Sequence, residues 1–411
     1  MDRWSQLAAL RPAKTSGPHK PERPIREDIF GHIPDAELRG NELGRHIVVR
    51  RWFDEVGPGL VGRRALNLLL PDKDQESAAP ENWIFLDTET TGLAGGTGTY
   101  AFLIGLAWWE GGRLAVEQFF MQEFTEEPSL LFEVAQRLAG RAVLVTYNGK
   151  SFDWPLLETR YRMTRTAMPH SPAAHLDLLH PARQIWRYRL NSLALTELER
   201  HILGMERTAD IPSSLIPSLY FSFLRGGPAA PIAAIFRHNQ MDLVGLARLA
   251  ARMGTMLEDP EGCGCGAAEL YGVSRLLQRR GQRLPAGAAC ERALELGLPA
   301  DAERSARLDL ALLARRRGDF EQANSLWQKL LDDARCGLFA SEQLAIHYEH
   351  RAHDPARAER IVRDAFGRLR ERLLAGSVSR EFYLKWHARL NRRQDRLRRL
   401  SAKSGERAGL A

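Results

Sequence analysis

The stretch Trp83-Ile84-Phe85-Leu86-Asp87-Thr88-Glu89-Thr90-Thr91-Gly92-Leu93 runs four apolar residues into two carboxylates and then a turn signal. A short apolar run ended this way reads as a buried strand. Alternation along a strand puts Asp87 and Glu89 on one face and Thr88 on the other. Two carboxylates sharing a face at the end of a buried strand repel each other unless a cation sits between them. Hard divalent cations such as Mg²⁺ and Mn²⁺ take oxygen ligands of this kind. Taken alone, the same residues also fit a strand that simply ends in solvated acids.

Around this strand the chain from about residue 81 predicts an α/β domain. Strands are expected at 83–88, Tyr100–Trp109, Leu114–Met121 and Ala142–Tyr147, the second and third joined through Glu110-Gly111-Gly112. Helices are expected at Glu126–Leu138, with acids in its first turn, and at Phe152–Arg162, Leu176–Trp186, Ser192–Leu203 and Pro231–Met256. A three-strand meander followed by helix, strand and helices implies a mixed sheet covered by helices. Upstream, the prolines at 12, 18, 21 and 24 mark residues 1–27 as a disordered leader. Residues 28–80 read as an N-terminal extension with strand character at Arg45–Phe53 and a polar linker at Pro71–Ser77.

The α/β pattern ends near 258. Pro260-Glu261-Gly262-Cys263-Gly264-Cys265-Gly266 makes 259–266 a linker; two cysteines one residue apart are a poor zinc site. Residues 267–400 are helical by pattern, and 401–411 read as a disordered tail. Gly318-Asp319-Phe320-Glu321-Gln322-Ala323 aligns with His353-Asp354-Pro355-Ala356-Arg357-Ala358 at an offset of 35, with a looser copy from Gly281 to Ala289. That period resembles tetratricopeptide repeats, in which stacked helical hairpins bury a small residue at a fixed place.

The 411 residues carry 58 Lys and Arg against 51 Asp and Glu, a net charge of +7. The excess is uneven: residues 267–411 hold 29 basic and 19 acidic side chains, while 1–266 hold 29 and 32. The acidic balance lies with the strand carboxylates, and the basic balance suggests a polyanionic partner such as nucleic acid. No apolar run approaches a membrane span, the N-terminus lacks a secretory layout, and four cysteines make no disulfide framework, so a cytoplasmic, reduced protein is expected.

Two further stretches rank with the first. Thr146-Tyr147-Asn148-Gly149-Lys150-Ser151-Phe152-Asp153 ends a strand and opens a helix, with Asp153 in the first turn, where a cap is the ordinary role. Arg237-His238-Asn239-Gln240-Met241-Asp242-Leu243-Val244-Gly245-Leu246 puts His238 and Asp242 one helical turn apart. Asp-x-Glu, Asn-x-x-x-x-Asp and His-x-x-x-Asp in that order resemble the DEDD 3′–5′ exonuclease superfamily of ribonuclease H-like folds. The arrangement is similar to YprB-like proteins, in which such a domain precedes tetratricopeptide-like repeats. Gly92-Leu93-Ala94-Gly95-Gly96-Thr97-Gly98-Thr99 and Asp210-Ile211-Pro212-Ser213-Ser214 look like that group too.

The resemblance implies a ribonuclease H-like exonuclease domain at 81–258 that cleaves single-stranded DNA or RNA with two divalent cations, Mg²⁺ or Mn²⁺. It implies Asp87, Glu89, Asp153 and Asp242 as metal ligands and His238 as the residue that orients or deprotonates water. The His branch of that superfamily spaces its motif His-x4-Asp and the Tyr branch Tyr-x3-Asp; this chain has His at the shorter spacing. Thr90, Gly92 and Leu93 are candidates for the terminal nucleotide, Asn148 for the strand near the cleaved bond, and Lys150, Arg183 and Arg187 for phosphates. His175-Leu176-Asp177-Leu178-Leu179-His180 reads as structural, with its leucines in the core and Asp177 as a cap. Two other functions stay open: a non-catalytic nucleic-acid-binding or scaffolding protein using its repeats, with a protein partner there, and an endonuclease on the same scaffold.

Overall fold

The computed structural model describes residues 25–59, 61–71, 73, 79–92, 97–169 and 173–408, with side chains to residue 400. Seven strands form one mixed sheet: β1 (Ala36–Asn41), β2 (Gly44–Phe53), β3 (Trp83–Thr90), β4 (Ala101–Glu110), β5 (Arg113–Phe120), β6 (Val143–Thr146) and β7 (Ala174–Asp177). The order is β1-β2-β5-β4-β3-β6-β7. Strand β3 is antiparallel to β4 and parallel to β6, which in turn is parallel to β7. The strand expected at 83–88 is therefore central, with the meander on one side and the parallel strands on the other.

Residues 28–80 are not an appendage to this sheet. After the short helix α1 (Asp28–His32), β2 pairs antiparallel with β5 from Ile47↔Phe120 to Phe53↔Leu114, and β1 closes that edge. The physical reason is the exposed edge a three-strand meander leaves; the buried Ile47, Val48 and Val49 cover it. Residues 1–24, most of the predicted leader, lie outside the described residues, whereas Arg26 donates to Asp28 and to the carbonyls of Phe223 and Gly227.

Alternation along β3 sends its residues into two cores. Trp83 and Phe85 pack in one with α2 (Arg63–Leu69), α5 (Leu179–Trp186) and the C-terminal half of α8 (Ala230–Glu258). Ile84 and Leu86 pack in the other with α3 (Glu127–Leu138), α4 (Asp153–Thr164), α7 (Ile216–Leu224) and the start of α8. The remaining helix of this part is α6 (Leu195–Ile202). Residues 174–177 are strand, not the start of the helix expected at Leu176; β6 is too short an edge to end the sheet and pairs with Ala174–Asp177.

Seven helices follow: α9 (Ala267–Arg279), α10 (Arg283–Glu295), α11 (Ala300–Arg317), α12 (Phe320–Lys329), α13 (Gly337–His350), α14 (Pro355–Leu374) and α15 (Arg380–Ala408). The offset of 35 has a structural counterpart. Gly318 (φ 87°) and His353 (φ 52°) both turn left-handed. Asp319 then accepts from Gln322 N, and Asp354 from Arg357 N, as the caps of α12 and α14. Ala323 and Ala358, five residues past those turns, are both fully buried. Helix α15 continues through Ala408, past the residue 400 at which a tail is expected.

The two parts share a core. Trp186 Nε1 and Arg189 both donate to Glu269 on α9, at 3.0 and 2.5 Å. Cys265, in the segment read as a linker, is buried in the same apolar cluster, and Cys263 and Cys265 are free thiols. Among the described residues no helix is long and apolar enough to cross a membrane.

Candidate active site

The C-terminal end of β3, the start of α4 and the middle of α8 converge. Asp87 and Glu89 lie on the face that carries Trp83 and Phe85 further back. Thr88 faces the other way, as alternation requires, and there its hydroxyl donates to Asp153 Oδ1 at 2.5 Å. Helix α8 brings His238 and Asp242 to the same place. His238 Nε2 is 3.4 Å from Asp242 Oδ2 and 4.0 Å from Glu89 Oε1. One ligand atom each from Glu89, His238 and Asp242 lies within 4.8 Å of the others. All five candidate catalytic residues thus come from three elements to one corner.

That corner is short of positive charge. Burial pushes the Asp87 carboxyl well above its usual range, and Asp242 and Asp153 raise it further. Glu89 is raised well above its usual range by burial and by Asp87, Asp242, Asp153 and Asp210. Burial lifts Asp153 to about 6. Carboxylates packed until they prefer a proton are the ordinary precondition of a divalent-cation site. The donor set is hard oxygen with one imidazole, which suits Mg²⁺ or Mn²⁺ and fits the group the fold uses.

Several residues at the corner escape the motif reading. Arg207 is nearly buried and is the cation of the cluster: it contacts Asp242 Oδ1 at 2.5 Å, Glu199 at 2.6 Å and Asp210 at 3.1 Å. Asp210 Oδ1 also meets His238 Nδ1 at 2.7 Å, and Ser213 Oγ lies 3.3 Å from Nε2. Burial works against the Asp210 carboxylate, but His238 and Arg207 outweigh it and hold its pKa low. Asn239, fully buried, donates to Asp87 Oδ2 at 2.7 Å and is held by Gln118. Two glycines make room for this. A Cβ at Gly105 would stand 2.2 Å from Asn239 Oδ1, and one at Gly245 would stand 1.9 Å from Glu199 Oε1. The sequence signals were present: Asp210 and Ser213 lie in the polar stretch resembling the YprB-like group, and Asn239 and Gly245 lie inside the third motif.

The weaker candidates scatter. Asn148 sits left-handed (φ 65°), and its N–H donates to Asp177 Oδ1 at 2.8 Å. Asp177 also accepts from Lys150 N and Leu179 N, so it caps α5 and ties down the loop carrying Asp153. Asn148 and Arg183 line one cavity of about 580 Å³ with Tyr147 and Asn191. Lys150 and Arg187 are exposed, and Arg187 lies over Tyr188 at 4.7 Å. His175 is structural: Thr146 Oγ1 lies 2.8 Å from Nε2, and burial lowers its pKa to about 4. Thr90 Oγ1 donates to the Gly92 carbonyl at 2.9 Å, while Leu93 lies outside the described residues.

With this geometry in view, two comparisons bear on the chain. Residues 84–254 match the family model of the RNase_H superfamily. The Bacillus subtilis (strain 168) protein called "Uncharacterized protein YprB" is 32% identical over 284 residues, covering 68% of each chain. A ribonuclease H-superfamily domain supports a nuclease that acts on nucleic acid and uses divalent metal.

Proposed function

The chain belongs to the ribonuclease H superfamily and to the family of YprB, and from that premise we propose that it is a metal-dependent 3′–5′ exonuclease of the DEDD type acting on single-stranded DNA or RNA. The observation that supports this reading is the set of four carboxylates, Asp87, Glu89, Asp153 and Asp242, gathered from three elements beside His238 with their charge largely uncompensated. A corner that had lost its chemistry would be expected to have lost one of them.

Asp87, Glu89, Asp153 and Asp242 would hold the divalent cations between them. Bound there, two Mg²⁺ or Mn²⁺ ions would stabilise the attacking and leaving oxygens of an in-line displacement at phosphorus. His238 acts on the water. With Nδ1 held by Asp210 at 2.7 Å, Nε2 faces Glu89 and Asp242, where it would take a proton from the attacking water. The His-x-x-x-Asp spacing then sets where the ring enters, one turn of α8 before Asp242. The water oxygen bonds to phosphorus, the bond to the 3′ oxygen of the next nucleotide breaks, and that oxygen leaves as a 3′-hydroxyl. Thr90 and Gly92 would receive the terminal nucleotide, the role also expected of Leu93, which lies outside the described residues. Asn148 would meet the strand near the cleaved bond, and Arg183, which lines the same cavity, a phosphate. The C-terminal helices would serve as tetratricopeptide-like repeats for a partner.

The test is hydrolysis of single-stranded DNA and RNA labelled at the 5′ end, with Mg²⁺, Mn²⁺ or EDTA. A ladder shrinking from the 3′ end, dependent on metal and absent in Asp87→Ala, is the expected result. Internal cuts would instead support an endonuclease. No cleavage by folded, metal-loaded protein would support a binding or scaffolding role.

A further inference from the structure

Far along the chain from the carboxylates, α11, α12 and α13 enclose a cavity of about 370 Å³. Five of its lining residues are basic: Arg315, Arg316, His347, His350 and Arg351. None of the lining residues is acidic. Unlike Arg317, Arg363 and Arg389, Arg316 and Arg351 pair with no carboxylate among the described residues, and Arg315 donates to the neutral Gln343. The buried acid nearest in sequence, Glu349, is already taken by Arg393 and Arg396. Positive charge is thus left over at this spot inside a region that is itself basic.

The cavity also offers flat surfaces. Phe320 stacks on His347 with 6.0 Å between ring centroids and 29° between planes. The Arg351 guanidinium lies 3.8 Å from the centroid of Phe320. His347 Nδ1 is buried without a hydrogen-bond partner among the described residues. Cations beside stacked planes are what single-stranded nucleic acid requires: guanidinium for phosphate, and π-faces for bases. A carboxylate-rich peptide would use the cations and leave the planes idle. The volume stands at the lower end of small-ligand pockets and suits one nucleotide at a time.

We propose that this cavity between α11, α12 and α13 binds single-stranded nucleic acid, one nucleotide seated against the Arg351–Phe320–His347 layer and its phosphates on Arg316 and Arg351. The chain then holds its strand at two places, the carboxylate corner and the helical region. The inference does not rest on the direction of cleavage, or on cleavage at all, because binding is read separately.

The experiment uses the full chain carrying Asp87→Asn in EDTA, with fluorescein-labelled oligothymidylate and oligouridylate followed by anisotropy. Against that background, Arg316→Glu with Arg351→Gln is expected to weaken binding about tenfold or more. The slope of log affinity against log salt should become shallower by about 1.4, roughly 0.7 for each phosphate that the protein no longer neutralises. Phe320→Leu, which keeps the charges, should weaken binding several-fold without changing that slope. Arg380→Gln, exposed on α15, should alter neither. Thermal melting by circular dichroism confirms that each variant is folded, and Arg316→Gln alone serves should the double variant melt early. Parent-like binding by the folded variants, or no binding by the parent protein, overturns the proposal. So does polyglutamate that competes as well as the strand, which would make the site one for acidic peptide.

Discussion

Two buried charge clusters in this molecule are built to opposite rules. In the helical region Glu349 is surrounded by Arg393, Arg396 and the edge of His350, so that one acid meets an excess of cations. At the end of β3 the ratio is reversed. Among the described residues Asp87, Glu89, Asp153, Glu199, Asp210 and Asp242 gather around one guanidinium, that of Arg207, which pairs directly with Glu199, Asp210 and Asp242. The first cluster closes on itself and fastens α13 to α15. The second cannot close, because removing several carboxylates from water costs far more than one arginine returns. A buried cluster whose carboxylates outnumber their cations specifies a ligand of the opposite sign, whereas one whose single carboxylate is fully paired specifies only structure.

The largest effect expected from this contrast is at Asp87. Asp87→Asn should lower nuclease activity by about three orders of magnitude, yet raise the melting temperature in metal-free buffer, since a repelled buried carboxylate is removed. Glu349→Gln should do the reverse, lowering the melting temperature by stranding two arginines while leaving the chemistry intact. Both are read by paired activity and melting measurements, and a melting loss in Asp87→Asn would break the comparison.

Next comes Asp210. Asp210→Asn leaves the shape but reverses the polarity of the contact to His238 Nδ1, and should cut turnover about a hundredfold with little change in metal affinity. Equal losses in both would mean that Asp210 serves the metal and not the ring.

A pH dependence of definite sign follows from Asp153. Its folded pKa is about 6 against an ordinary 3.8. Below the ordinary value both folded and unfolded forms are protonated and the burial costs nothing. Between 3.8 and about 6 the unfolded state has lost this proton while the folded state retains it, so stability falls as pH rises, until above 6 both forms are ionised and the loss is complete. In metal-free protein, the stability of Asp153→Asn relative to the parent should therefore increase from about pH 4 to pH 6 and then level off. A difference of the opposite sign in denaturant melts would contradict the electrostatic account. The smallest effect is at Gly245: Gly245→Ala pushes Glu199 aside and loosens Arg207, and should reduce activity about tenfold with the carboxylates still in place.

The sequence made the scaffold legible because its signals were local. Trp83–Leu86, Ala101–Trp109 and Leu114–Phe120 declare themselves by composition, and their pairing needs only short turns. Strand character at Arg45–Phe53 was legible, but β1 and the joining of β2 to β5 were not, because that pairing spans some seventy residues and has no local marker. Likewise the short β7 hides in a run whose leucines also fit a helix. At the site, the motif carboxylates could be named because each lies at short spacing from a partner residue within one element or turn: Asp87 with Glu89, Asp153 with Asn148, Asp242 with His238. Arg207, Asp210 and Asn239 could not, since their importance lies in which atoms they reach across the fold: Asp242, His238 and Asp87. The repeat at 318–323 and 353–358 lay between these cases, visible as an offset and given meaning by two left-handed turns and two aspartate caps.

The most direct test of the central claim is calorimetric titration of metal-free protein with Mn²⁺, beside Asp87→Asn and Glu89→Gln. The account predicts two ions per parent chain, a rise in melting temperature on saturation, and loss of at least one ion in each variant. At a hundredfold excess over the dissociation constant, each site would add about 2.7 kcal/mol of stability. A parent protein that binds no Mn²⁺, or binds it equally well with either carboxylate neutralised, would contradict the account.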